Sequence, residues 1–300
     1  MKPRKPLPES LRDRAFTARD GLDAGLGRGR MRGTDLVRPV RGVYLSRTTD
    51  LDFSTRCRAA LLVASPDAFL SAATAARVIG IPLPARLQKS TTVDVGVPAP
   101  ASPPEGRGLR GHCLEIEESE ITTVDGMRAT TPEETWCSIA SRLSLTELVA
   151  AGDFLIHHAA PLTTMEALEL RVRAWRGKRG VRRLRHALGL LNPRSESPKE
   201  SELRVVLVES GIQGVEANFP VVTSGGYRYR ADLAIPARKL IVEYQSAFHE
   251  TPEAFRADMT RISRLEADQW KVIQVNKEDL RDPFELVARI RRVLHSRPHS

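Results

Sequence analysis

Three hundred residues, 41% of them hydrophobic, hold enough apolar material for two or three packed domains. No run approaches the ~18 apolar residues of a membrane span, and MKPRKPLPESLRDR at the start has no apolar core of a secretory signal. The formal net charge of +9, carried mostly by arginine, fits a polyanionic partner without naming it, while Cys57, Cys113 and Cys137 are too scattered for a zinc site or a disulfide framework and fit a reducing cytoplasm.

Residues 8–46 read as a small helical unit closed by a wing. One helix is expected from Pro8 to Phe16, and Thr17 caps a second through about Ala24. Gly25 supplies the turn into the arginine-rich GRGRMRG, and LVRPVRGVYL alternates like a strand pair around Pro39-Val40-Arg41-Gly42. A winged helix-turn-helix over residues 1–50 follows, with Arg28, Arg30 and Arg32 at the start of the recognition segment and Arg38 and Arg41 on the wing. The plainer alternative is a solvated basic face. Two glycines inside the recognition segment weaken it as a helix, each by ~1 kcal/mol relative to alanine. AFTARDGLDAGLGRGRMRG, LVRPVRGVYL and the helix expected over 67–84 (DAFLSAATAARVIGIPLP) together resemble the N-terminal domain of abortive-infection antitoxins and related regulators. That resemblance implies DNA and a toxin or other defence-system protein as partners.

Residues 51–195 carry a mixed α/β pattern and little chemistry. TTVDVGVPAP is a strand entering the Pro-rich loop ASPPEGRGLRG, and HCLEIEESEITTVDGMRAT holds two further strands with an Asp125-Gly126 turn. Thr131-Pro132-Glu133-Glu134 opens a helix with Trp136, Ile139 and Leu143 on one side. Ser144 to Ile156 is another, and Thr163 to Trp175 begins a third that runs into RVRAWRGKRGVRRLRHALGLL. Eight Arg or Lys fall between Arg171 and Arg185, either against a DNA backbone or on a solvated surface. NPRSESP at 192–198, polar and proline-broken, marks a boundary before a domain over 196–300.

In that last stretch the spacing predicts a helix from Ser197, strands 217–222, 227–235 and 239–245, a helix 253–268, a strand 271–276 and a helix 282–295. Phe255, Met259, Ile262 and Leu265 give the 253–268 helix an apolar stripe. The centre is the hairpin YRYRADLAIPARKLIVEYQ. A turn on Ala237 and Arg238 puts Asp232 opposite Glu243 and Arg230 opposite Gln245, all on one face. Like charges across a strand pair are destabilising, more so inside a strand as apolar as KLIVEYQ. A divalent cation answers both objections, since Mg²⁺ takes one or two carboxylates with substrate oxygens and water. The alternative is a structural ion pair from Glu243 to Arg230 or Lys239. Ser197-x-x-Glu200 has the form of a capping box, in which Glu200 returns a hydrogen bond to the backbone of Ser197. His249 is the general-base candidate by position, and Arg230 and Lys239 are the nearest cations for a developing phosphorane.

Asp232, Glu243 and Gln245 in D-x(10)-E-x-Q spacing resemble the PD-(D/E)XK nuclease signature. With Ser197-Pro198-x-Glu200-Ser201, His249, Asp258 and the strand WKVIQV, residues 196–296 resemble the very-short-patch-repair-like endonuclease domain. The resemblance implies an α-β-β-β-α-β restriction-endonuclease-like core and a Mg²⁺ (or Mn²⁺) dependent DNA-cleaving site. Its catalytic set would be Asp232, Glu243, Gln245, Glu200 and His249, with Asp232 and Glu243 on the metal. Gln245 stands where the family usually has Lys or Asp, so it can orient water or ligate through its carbonyl but brings no charge. The expected fold class is α+β with several domains. The expected function is a DNA endonuclease, against a non-catalytic DNA-binding regulator or antitoxin and, third, an RNA-directed toxin or interaction scaffold.

Overall fold

A computed structural model describes residues 6–245 and 251–296. The chain is α+β and forms two compact units, Met1–Ile139 and Ala140–Ser300.

The first unit begins with α1 (Glu9–Arg12), β1 (Phe16–Thr17), α2 (Ala18–Asp23), β2 (Leu36–Val37) and β3 (Val43–Ser46), the strands forming an antiparallel sheet ordered β1-β3-β2. Thr17 caps α2 as expected. Its hydroxyl accepts from the Asp20 amide at 3.1 Å, and the Asp20 carboxylate accepts from the Thr17 amide at 2.7 Å, which holds that carboxyl below its usual range. The first expected helix shrinks to one turn, because Phe16 is consumed by β1, fully buried and stacked on Tyr44. The expected recognition helix is likewise reduced, to a 3₁₀ turn at Arg30–Arg32. Glycines at 27, 29 and 33 deny it helix propensity.

The unit continues with α3 (Phe53–Leu62), β4 (Phe69–Leu70), α4 (Ala72–Ile79), α5 (Ala85–Gln88), β5 (Val93–Pro98), β6 (Leu109–Leu114), β7 (Ile121–Val124), β8 (Met127–Thr130) and α6 (Pro132–Ile139). The five-stranded sheet is ordered β6-β5-β4-β8-β7. Asp125 and Gly126 turn β7 into β8 with φ of 50° and 72°, the left-handed pair a tight hairpin needs. Ala15, Val43 and Leu45 join one buried cluster with Cys57, Leu70, Val93, Val95 and Ala129. Residues 1–50 therefore share a core with residues 51–139.

The second unit runs α7 (Leu145–Leu155), α8 (Met165–Ala174), α9 (Val181–Leu188), α10 (Pro198–Glu209), β9 (Glu216–Val222), β10 (Arg228–Ile235), β11 (Leu240–Tyr244), α11 (Pro252–Ala267), β12 (Lys271–Val275), α12 (Lys277–Arg281) and α13 (Pro283–His295). From α10 to β12 the order is α-β-β-β-α-β. The sheet is ordered β12-β11-β10-β9, with β9, β10 and β11 antiparallel and β12 parallel to β11. One side packs on Leu203 and Leu207 of α10 and Leu286 and Ile290 of α13, the other on Leu265 of α11 with Phe219 and Trp270. Of the stripe expected on α11 only Leu265 is buried, while Phe255 and Met259 are more than half exposed.

The polar stretch 192–198 does not separate the units. Asp153 of α7, 1% exposed, accepts from the Arg204 guanidinium at 2.6 Å, the Ser201 hydroxyl at 2.6 Å and the Asn192 amide at 2.7 Å. The residues that look like linker are tied inward, so the segments 140–195 and 196–300 lie within one unit.

Candidate functional site

The hairpin β10–β11 pairs Leu233 with Val242, Ala234 with Ile241 and Ile235 with Leu240. This is the expected register, and its next rung sets Asp232 against Glu243. The tip is a 3₁₀ turn, Pro236–Arg238, with Lys239 left-handed at φ 45°. Beyond Leu233 the backbone ladder stops. The Asp232 carboxylate replaces it, Oδ2 accepting from the Tyr244 amide at 3.0 Å. On the other side of β10, pairing with β9 also skips Asp232, and Asn218 beside it adopts φ 49°. Tyr229 and Ala231 pack in the α11-side cluster, Leu233 and Ile235 in the opposite one. Strict alternation thus breaks at Asp232 on a left-handed non-glycine neighbour, the kind of local distortion that re-aims a side chain.

Glu243, 5% exposed, sits on the next strand facing α11. Arg261 grips it with a two-pronged ion pair, Nη1 to Oε1 at 2.8 Å and Nη2 to Oε2 at 2.6 Å. The same guanidinium reaches Asp258 Oδ1 from Nε at 3.0 Å and Nη2 at 2.6 Å, and Gln274 of β12 donates to Asp258 Oδ2 at 3.0 Å. Two adjoining carboxylates push the Arg261 pKa up. Glu200, 8% exposed, accepts from the Glu196 amide at 3.0 Å and from Asn218 Nδ2 at 3.4 Å. Its own amide donates to Ser197 Oγ at 3.1 Å. Only the forward half of the expected capping box forms, and the carboxylate is released toward the sheet.

The electrostatics of Asp232 register this gathering. Burial pushes its carboxyl up to about 6, the Tyr244 N–H opposes, the Glu200 and Glu243 charges add to the rise, and Arg261 opposes it. Burial is thus the main cause of the rise, and the two neighbouring carboxylates add to it against Arg261. Among the described residues no group of three or more His, Cys, Asp or Glu side chains is placed to hold a metal ion. The donors fit a hard cation all the same. They are carboxylate oxygens, Asp232 Oδ1 makes no hydrogen bond among the described residues, and each Glu243 oxygen keeps a lone pair beyond the one given to Arg261.

Asp232, Glu243 and Glu200 are thus brought together, with Gln245 half-buried at the exit of β11, its amide donating to Val275 O at 2.7 Å. The expected cations are elsewhere. Arg230 is 60% exposed and pairs with Glu196 at 2.6 Å, and Lys239 at the tip donates to Asp268 O at 3.2 Å. Arg261 holds the position that sequence reasoning offered to either. Its place on the 253–268 helix allows both a pair with Asp258 and a reach toward the site, and the docking of α11 turns that reach onto Glu243. His249 lies outside the described residues. In the first unit Arg28, Arg32, Arg38 and Arg41 are exposed, with Arg38 5.1 Å from the Tyr44 ring centre. Arg30 is withdrawn from that set: its side chain is 10% exposed and bonds both oxygens of Asp35 at 3.0 and 2.7 Å.

No family model matches the chain. Over 182 residues it is 32% identical to two uncharacterized proteins of Mycobacterium tuberculosis, Rv2248 and MT2308. The match covers 59% of this chain and 65% of each relative, so the chain spans somewhat less than two thirds of the curated relatives it matches.

Proposed function

We propose that the fork between β10 and β11 is the active site of a Mg²⁺ (or Mn²⁺) dependent DNA endonuclease with a restriction-endonuclease-like core. The reading is supported by the gathering of Asp232, Glu200 and Glu243, both glutamates buried, where the β10–β11 backbone pairing ends. Asp232 and Glu243 would hold the ion, which when bound supplies positive charge to the phosphoryl oxygens and lowers the pKa of water. Arg261 is a positioning residue, fixing the Glu243 carboxylate from α11. Gln245 orients the attacking water by its amide, and His249 is retained as the base that takes its proton. Water oxygen bonds to phosphorus as the bond to one sugar oxygen breaks. That oxygen takes up a proton, leaving a phosphate terminus and a hydroxyl terminus. Residues 1–50 would reach DNA through the exposed Arg28, Arg32, Arg38 and Arg41, carried by the glycine-rich turn and the β2–β3 connection rather than by a recognition helix.

One observation favours a second reading. Both oxygens of Glu243 already have a cation in Arg261, and Gln245 brings no charge, as in a nuclease-like domain retained by a DNA-binding regulator or antitoxin. Cleavage separates the two. Supercoiled, mismatched, single-stranded and branched DNAs are incubated with the full chain and Mg²⁺ or Mn²⁺, beside the Asp232→Ala/Glu243→Ala double variant. Product from the wild type alone supports the nuclease. If no DNA is cut, yet duplex is shifted equally in EDTA and by the double variant, the regulator takes its place.

A further inference from the structure

A strongly cationic stretch of the second unit lies outside the fork. Eight Lys or Arg fall between Arg171 and Arg185, and no Asp or Glu occurs between Glu169 and Glu196. Leu168 and Val172 of α8 and Leu184 and Ala187 of α9 are buried, so the apolar faces of the two helices are spent on packing. Their connection is fixed. Trp175, 7% exposed, donates from Nε1 to Arg179 O at 3.2 Å, with Lys178 Nζ 4.4 Å from its ring centre. Gly180, at φ 86°, starts α9 where a β-carbon would meet Ala140 and the Ser141 amide at 3.0 Å. Arg183 is also committed, donating to the carbonyls of Ala140 and Leu143 at 2.8 and 2.6 Å.

Beside the two helices this leaves a cleft of about 350 Å³ lined by Val172, Leu188 and Gly189, by Arg173, Arg176 and Arg185, and by Glu169. Arg173 is paired with Glu169 at 3.1 Å, and among the described residues no ion pair engages Arg176 or Arg185. Two unneutralised guanidiniums, Arg176 on the α8–α9 connection and Arg185 on α9, line one cleft and match a phosphodiester strand. A guanidinium binds phosphate oxygens through paired N–H donors, and neutralised phosphates release counterions.

We propose that the α8–α9 cleft is a second nucleic-acid site of this unit, in which Arg176 and Arg185 grip the DNA backbone away from the carboxylates. The proposal rests on the nucleic-acid reading of the fork but not on cleavage. The test is the affinity of the full chain for a labelled DNA duplex in EDTA, followed by fluorescence anisotropy across a range of salt. Arg176→Ala/Arg185→Ala should lower the slope of log affinity against log salt by roughly 2, one unit per lost phosphate contact. Arg292→Ala, which removes one exposed arginine of α13 (side chain 69% exposed), should change the slope by less than one unit. The cleft is overturned if the double variant keeps the wild-type slope, if Arg292→Ala matches its loss, or if wild type binds RNA and not DNA or no duplex at all. Wild type and Asp232→Asn binding DNA alike without cutting it would remove the nuclease and leave the cleft. Cleavage with an unchanged slope in the double variant would do the reverse.

Discussion

Asp232 is where the fold meets its own electrostatics. The folded carboxyl keeps its proton up to about 6, whereas in the unfolded chain it releases it near 3.8. Between those values the folded state binds the extra proton, so this group's stabilising contribution is present at low pH and is lost as pH rises toward 6. Asp232→Asn keeps an oxygen for the Tyr244 amide and removes the charge. In EDTA the variant should match wild type near pH 4 and exceed it near pH 7.5 by roughly 1 kcal/mol, a figure reduced for solvent screening. Thermal melts at the two pH values check this, and a variant no more stable at the higher pH would show that Asp232 is already compensated. The pairing behind the effect was legible in the sequence, because hairpin register follows from the turn and the period of two. The release of Glu200 was not, since Ser-x-x-Glu reads as a closed capping box until Asn218 and the Glu196 amide are seen holding the carboxylate.

Among elements, the helix starts were the most legible part of the chain. Thr17, Ser144 and Ser197 each accept from the amide three residues on, as their sequences require. Burial was harder to read. The apolar positions of α11 have helical spacing, yet the helix touches the sheet mainly through Leu265 and Arg261, leaving Phe255 and Met259 outside. The join of α7 to α10 was invisible because it is polar. Burial raises the Asp153 carboxyl above its usual range, and Arg204, with its side chain 6% exposed, opposes the shift. Arg204→Met should therefore cost about 3–5 kcal/mol by stranding a buried charge, and Asp153→Leu added to it should recover much of the loss. Denaturant unfolding of the single and double variants measures both. A single variant within experimental error of wild type would mean that Asp153 is not held by this pair.

At the scale of the molecule, composition pointed to a polyanion, and the structure sorts the arginines that carry the charge. Arg30, Arg204 and Arg261 are partly or fully buried in ion pairs and the exposed Arg183 is tied to two carbonyls, whereas Arg28, Arg32 and Arg41 in one unit and Arg176 and Arg185 in the other face solvent. The division of the chain was the least legible feature. Composition marked 192–198 as a domain boundary, but Ser195 is 4% exposed and hydrogen-bonds Ser201, so polarity there reports a buried carboxylate being satisfied. On the nuclease reading the carboxylates gathered at the fork form a cation site. Electron paramagnetic resonance of Mn²⁺ titrated into the full chain tests it most directly. Wild type should sequester one ion per chain at neutral pH, with binding lost in Asp232→Asn/Glu243→Gln and weakened as pH falls below about 6. Mn²⁺ that stays free with wild type, or that the double variant binds equally well, would contradict it and leave Arg261 as the only cation the fork requires.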